Sequence, residues 1–81
     1  GEVDFILLKD RKPIPIEVKS KLISPEVPSG LKRFLSRYSS ARSAYVVNEN
    51  IDKEVRHEGC HVRFMTFEKF AEEFHTVKYK Y

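Results

Sequence analysis

The chain has 81 residues, 41% of them hydrophobic and 33% charged, with 15 Lys and Arg against 12 Asp and Glu for a formal net charge of +3. That length excludes a multidomain enzyme and a full-sized doubly wound sheet, and a core this small rarely supplies more than ~3–5 kcal/mol. The composition excludes a disordered chain, and a single cysteine, Cys60, excludes an intramolecular disulfide.

Residues 3–8, Val-Asp-Phe-Ile-Leu-Leu, read as a strand. Residues 13–19 read as a second, with Ile14, Ile16 and Val18 on one face and Pro15, Glu17 and Lys19 on the other. The polar break between them is short enough for a hairpin. Residues 20–30 form an irregular loop punctuated by Pro25, Pro28 and Gly30. A helix is expected from Ser29 to Ser39, with Ser29 as its N-cap. Its buried stripe is Leu31, Phe34, Leu35 and Tyr38, spaced i, i+3, i+4, i+7.

Residues 43–48 read as a strand buried on both faces, which favours a central place in a parallel or mixed sheet. The charged stretch 51–58 is expected to form one or two helical turns ending at Gly59. Val62, Phe64 and Met65 make a short last strand. A last helix follows Thr66, its N-cap, with Met65 and Phe70 as a hydrophobic staple and an inner stripe of Phe67, Phe70, Ala71 and Phe74. The tail from Val77 to Tyr81 alternates and reads as frayed. The order strand, strand, helix, strand, strand, helix implies an α/β fold with a mixed sheet.

The hairpin carries the chemistry. A two-residue turn at Asp10–Arg11 pairs Lys9 with Lys12, and a four-residue loop 9–12 leaves the strands in the same register. In that register Val3 faces Val18, Phe5 faces Ile16 and Leu7 faces Ile14, whereas a one-residue slip sets these side chains against the wrong face. Asp4 then stands opposite Glu17, their Cβ atoms about 4.5–5.5 Å apart. Lys19 lies about 6.7 Å further along the same face. Two carboxylates so placed repel, and a divalent cation suits the gap: Mg²⁺ binds through one or two carboxylates plus waters and a phosphate. The carbonyl of Val18 is a further candidate ligand. Such a metal polarises a phosphodiester and activates a water, and Lys19 orients the water or stabilises developing charge. A solvated hairpin face, its acids neutralised by Lys9, Lys12 and Lys19, accounts for the same residues without chemistry.

At these residues the sequence resembles the PD-(D/E)xK nuclease superfamily, an acid on one hairpin strand and acid-x-Lys on the next: Val3-Asp4 and Ile16-Glu17-Val18-Lys19. Glu-Val-Asp-Phe-Ile-Leu, Pro-Ile-Glu-Val-Lys-Ser, the Leu-Lys-Arg-Phe-Leu helix and Ala-Tyr-Val-Val further resemble the nuclease-like C-terminal domain of archaeal and bacterial AAA+ ATPases. The resemblance covers residues 2–48 well and the rest loosely. It implies a restriction-endonuclease-like sheet lacking the family's first helix and strand. It also implies Asp4 and Glu17 as metal-binding acids for Mg²⁺ or Mn²⁺, and Lys19 as the catalytic lysine. Three departures stand out: Val3 replaces the motif's proline, the helix lacks Gln-x-x-x-Tyr, and the only substitute for an upstream acid is Glu2.

Other signals are weaker. His57, Cys60 and His61 fit no zinc spacing. Lys32, Arg33 and Arg37, with Arg42, could track a phosphate backbone along the first helix, and an ordinary solvated face explains them equally. No Gly-rich phosphate loop is present, so ATP binding by this chain is not expected. Residues 1–81 are therefore read as a single nuclease-like domain, the C-terminal part of a larger ATPase chain, acting on DNA. Two other readings stand beside it: an inactive nuclease-like module binding DNA or its ATPase partner domain, and a protein-interaction domain with no nucleic-acid role. The single cysteine and the shortness of the apolar runs lead to a cytoplasmic expectation with no membrane partner. The resemblance places Gly1 inside or at the edge of a larger fold, which leaves the first strand's outer edge open to another chain or an upstream segment, so a homodimer, or marginal stability in isolation, is expected.

Overall fold

Two tight reversals, each with positive φ at both central residues, build the two edges of the sheet. In the computed structural model, which describes residues 3–75, Asp10 (φ 53°) and Arg11 (φ 66°) join β1 (Phe5–Lys9) to β2 (Lys12–Val18). Glu58 (φ 48°) and Gly59 (φ 82°) join β4 (Lys53–His57) to β5 (Cys60–Thr66). This turn type matches the right-handed twist of the flanking strands. The first hairpin has the register its apolar pattern requires: Phe5↔Ile16, Leu7↔Ile14 and Lys9↔Lys12.

The second hairpin corrects the expectation of helical turns over 51–58. Residues 53–57 are a strand, antiparallel to β5 with Val55 opposite Val62. Val55 is the one apolar residue in Lys-Glu-Val-Arg-His, so the segment carries no period to read. Its Glu58-Gly59 is the turn of a hairpin and not the end of a helix.

The sheet has five strands in the order β1-β2-β3-β5-β4. β3 (Ser43–Asn48) lies at its centre, parallel to both β2 and β5, as burial on both faces requires. The β2–β3 ladder runs only from Ile16 to Val18. Lys19 donates its N–H to the Val47 carbonyl at 2.8 Å, so alternate β2 residues 13, 15, 17 and 19 face β3. Two of these are Pro13 and Pro15, which have no N–H to give.

Each helix covers one face. α1 (Ser29–Arg37) buries Leu31, Phe34 and Leu35 against Ala44, Val46, Val62 and Phe64. Its N-cap is Pro28, whose extended backbone (φ −62°, ψ 149°) lets its carbonyl accept from Lys32 N–H at 3.0 Å; Ser29 is already helical. Tyr38 is the C-cap and stays half exposed, its ring 4.6 Å from Phe34. α2 (Phe67–His75) starts as expected, with Thr66 Oγ1 accepting from Lys69 N–H at 3.3 Å. Phe70 and Phe74 pack edge-on against Tyr45, with centroids 5.8 and 5.4 Å away. Phe67 and Ala71, expected in the same stripe, are exposed, because the helix packs only as far as Tyr45 and Met65. Glu2 and the Val77–Tyr81 tail lie outside the described residues. Among the described residues no helix is long and apolar enough to cross a membrane.

Candidate functional site

β2, β3 and β5 run parallel, so their carboxyl ends share one edge of the sheet, and the antiparallel β1 brings Asp4 to that same edge. Open α/β sheets bind ligands outside the carboxyl ends of their parallel strands. Asp4, Glu17, Val18 and Lys19 all lie at that edge, where Asp4 is bonded to the Val18 N–H and Glu17 is paired with Lys19.

Asp4 does not continue the ladder opposite Glu17. The β1–β2 ladder ends at Phe5↔Ile16, and Asp4 N–H donates to the Ile16 carbonyl at 3.1 Å. Asp4 and Phe5 thus both oppose Ile16, the two-against-one count of a bulge, which re-aims the side chain. The Asp4 carboxylate turns onto β2, where Oδ2 accepts the Val18 N–H at 2.7 Å. That N–H is one that β1 would otherwise have paired.

Glu17 lies beside Val46 on the α1 side of the sheet. Its side chain is only 13% exposed, and Lys19, at 41%, holds Nζ 3.5 Å from Glu17 Oε2. The other oxygen, Oε1, is buried and accepts no hydrogen bond. Buried carboxylate oxygens are ordinarily satisfied by protein, water or an ion, so this oxygen calls for a partner. The donors within this corner are hard oxygens: the two carboxylates of Asp4 and Glu17 and the Val18 carbonyl. That set suits Mg²⁺ or Mn²⁺, which keeps waters and takes few protein ligands. Among the described residues no group of three or more His, Cys, Asp or Glu could hold a metal by itself, so waters and substrate oxygens would complete the shell.

The supporting residues escaped the sequence reading. Asn48, at the end of β3, is fully buried. Its Nδ2 donates to the carbonyls of Val46 (3.1 Å), Ile51 (3.1 Å) and Met65 (3.4 Å), and its Oδ1 accepts the N–H groups of Asn50 (2.9 Å) and Ile51 (2.7 Å). Asn50 in turn clamps Leu22, accepting its N–H and donating to its carbonyl, both at 2.8 Å. Glu49 N–H reaches the Ser20 carbonyl at 3.3 Å. These bonds fix the segment that leaves Lys19. The Asn-Glu-Asn run after a buried apolar strand was the available signal, since Asn bonds its own backbone two residues on.

Lys32, Arg33 and Arg37 lie on the exposed side of α1, away from its sheet-facing stripe. Arg42 donates to the Ser39 carbonyl at 2.8 Å. The histidine–cysteine group does not converge: His57 stands opposite Cys60, but His61, the strand neighbour of Cys60, points to the other face. Cys60 points into the α1-side core, where burial pushes its thiol pKa above the ordinary value, against the pull of Arg42 and Arg56. His61 pairs with Glu54 at 2.9 Å. Beyond it Arg63 holds Glu73 with two bonds of 2.9 and 3.1 Å and lies 5.5 Å above the Tyr45 ring. The Glu73 carboxylate, bonded to this guanidinium, raises its pKa further.

The fold and this corner define a class: a small α/β domain with two acids and a lysine at the carboxyl edge of a mixed sheet. The chain belongs to the family described as Domain of unknown function (DUF4143), whose model matches residues 1–70. No curated protein and no solved structure matches the chain.

Proposed function

We propose that this is a divalent-cation-dependent nuclease-like domain that hydrolyses DNA phosphodiesters and works beside an AAA+ ATPase domain. The observation that carries the reading is the orphaned, buried Glu17 Oε1, set at a sheet edge with Asp4, the Val18 carbonyl and Lys19. The family's association with AAA-ATPase-linked domains supports the second half of it.

Asp4 and Glu17 would hold Mg²⁺ or Mn²⁺, with the Val18 carbonyl as a third oxygen. A bound divalent cation supplies charge that polarises the phosphodiester and acidifies a water. Glu17, held against Val46, offers its ligand oxygen without the entropy cost of ordering an exposed side chain. Asp4 is oriented by the Val18 N–H. Lys19 Nζ, partly exposed beside Glu17, would orient the attacking water and neutralise charge building on the phosphate oxygens, an effect worth ~10²–10³ in rate where such donors are removed. Lys32, Arg33 and Arg37 are the candidates for holding the flanking backbone.

A second reading has its own support. Asp4 Oδ2 is already spent on Val18 N–H, as it would be in a module that binds DNA or its ATPase partner without cleaving. Incubating the purified chain with labelled duplex and single-stranded DNA separates the two. The nuclease reading expects cleavage with Mg²⁺ or Mn²⁺ that chelation stops and that Asp4→Asn and Glu17→Gln each lower by at least ~10²-fold. DNA binding that weakens steeply with salt, without cleavage, supports the second reading and overturns the first.

A further inference from the structure

We propose that a second copy of this chain adds to the outer edge of β1, antiparallel about a twofold axis at Leu7, so that two five-stranded sheets become one. This goes beyond the hydrolytic reading and does not depend on it. β1 is an edge strand, and its apolar residues are open on both faces: Phe5 60%, Ile6 52%, Leu7 40% and Leu8 75% exposed. Natural edges are blunted with charge, proline or cover. The opposite edge is, since β4 carries Lys53, Glu54, Arg56 and His57; residues 5–8 have no such guard.

The backbone fixes how the copies meet. Lys9 and Lys12 flank a two-residue turn, so they form a hydrogen-bonded pair, and Phe5 and Leu7 likewise bond inward to β2. The N–H and C=O groups of Ile6 and Leu8 therefore point outward. In an antiparallel pair centred on Leu7, Ile6 bonds Leu8 of the second copy and Leu8 bonds its Ile6. Leu7 then faces Leu7 across the axis. A slip by one residue would put each apolar set on the wrong face, and an axis at Ile6 or Leu8 would set Leu8 against Asp4 or Ile6 against Asp10.

Charge and area agree. β1 has an acid at its first end, Asp4, and a basic tip at its other, Lys9, Arg11 and Lys12 around the lone acid Asp10. Antiparallel addition in this register sets Asp4 of each copy opposite Asp10 of the other but flanked by its Lys9 and Arg11, whereas parallel addition sets tip on tip. On the α2 side an apolar groove of about 410 Å³ runs from Phe5 and Leu7 past Val18 to Phe67 and Phe70, and the axis at Leu7 joins two such grooves. The exposed parts of these side chains amount to roughly 500 Å² per copy, taking about 150–250 Å² for each full side chain. Two copies can bury at most roughly 1,000 Å² of this surface, at the lower bound for a specific interface.

Analytical ultracentrifugation and cysteine crosslinking test this on the whole chain. At about 100 µM the protein is expected to sediment at twice its 9.5 kDa mass, as a micromolar interface of this size would. Leu8→Lys should return it to the monomer with an unchanged far-UV spectrum. Leu7→Cys should crosslink under mild oxidant at least ~10-fold faster than Leu8→Cys, because only position 7 meets itself at a spacing a disulfide can span; the native Cys60 is buried and silent. The crosslinking pair also keeps the proposal testable if Leu8→Lys fails to fold. A chain that stays monomeric at about 100 µM, a dimer that survives in folded Leu8→Lys, or equal crosslinking at positions 7 and 8 overturns it.

Discussion

Asn48→Ala should remove much of the stability of this domain. The amide of Asn48 serves three carbonyls and two N–H groups at the end of the central strand, and the residue is fully buried. The carbonyls of Val46 and Met65 lie within or beside strand ladders and keep other bonds, so their loss is modest. The N–H groups of Asn50 and Ile51 lose their acceptor, at ~1–3 kcal/mol for each group left unsatisfied, less where water can reach. About 2–4 kcal/mol in total is expected, against roughly 4–12 kcal/mol for a folded chain of this length. Urea unfolding followed by far-UV circular dichroism measures it: with a slope of about 1 kcal/mol/M, the midpoint should fall by ~2–4 M. Asn48→Asp sharpens the reasoning. It keeps Oδ1 for the two N–H groups but turns a second oxygen onto three carbonyls, which only a protonated carboxyl tolerates. Its folded pKa is then raised above the unfolded value. Stability is fully present below about pH 4 and is lost as pH rises through the folded pKa. A midpoint shift under ~0.5 M for Asn48→Ala, or an Asn48→Asp variant that gains stability with rising pH, would refute this account of the strand end.

Further expectations follow from single residues. Arg11 sits at φ 66°, a region that costs a residue with a Cβ about 1 kcal/mol. Arg11→Gly should raise the melting temperature by several degrees, roughly 4–8 °C per kcal/mol for a domain of this size, and a fall would contradict the turn assignment. The buried Cys60 thiol has its pKa pushed up from 9.0. Its folded pKa therefore exceeds the unfolded one, and stability present below pH 9 drains away as pH rises through the folded value. Cys60→Ala should flatten that alkaline loss, read from melting temperatures between about pH 8 and 10.5; an unchanged slope would remove Cys60 as its source. Lys19→Met should lower metal-dependent DNA cleavage by ~10²-fold while leaving metal affinity within about threefold. Equal losses in both would make Lys19 a prop for Glu17 only.

The legible parts of the fold were those with a strong period or a forced register. The β1–β2 pairing followed from Phe5, Leu7, Ile14 and Ile16, and β3 from an unbroken apolar run. What was not legible has local causes. β4 has one apolar residue and hid behind its charges. Pro28 capped α1 with a carbonyl, which leaves no trace in side-chain chemistry. Of the candidate site, Glu17 and Lys19 fell where alternation put them. Asp4 did not, because the strand bulges at Ile16 and spends one carboxylate oxygen on Val18. The buried Asn48 and the exposed Asn50 both read as loop residues until the backbone groups they bond are known.

The central claim is that Glu17 Oε1 awaits a cation. Paramagnetic broadening of amide signals by Mn²⁺ tests it most directly, without requiring cleavage. Broadening should centre on Asp4, Glu17, Val18 and Lys19, be competed by Mg²⁺ at roughly millimolar levels, and disappear in Glu17→Gln with the rest of the spectrum unchanged. Broadening centred elsewhere on the surface, or none at those residues with millimolar Mn²⁺, would contradict it.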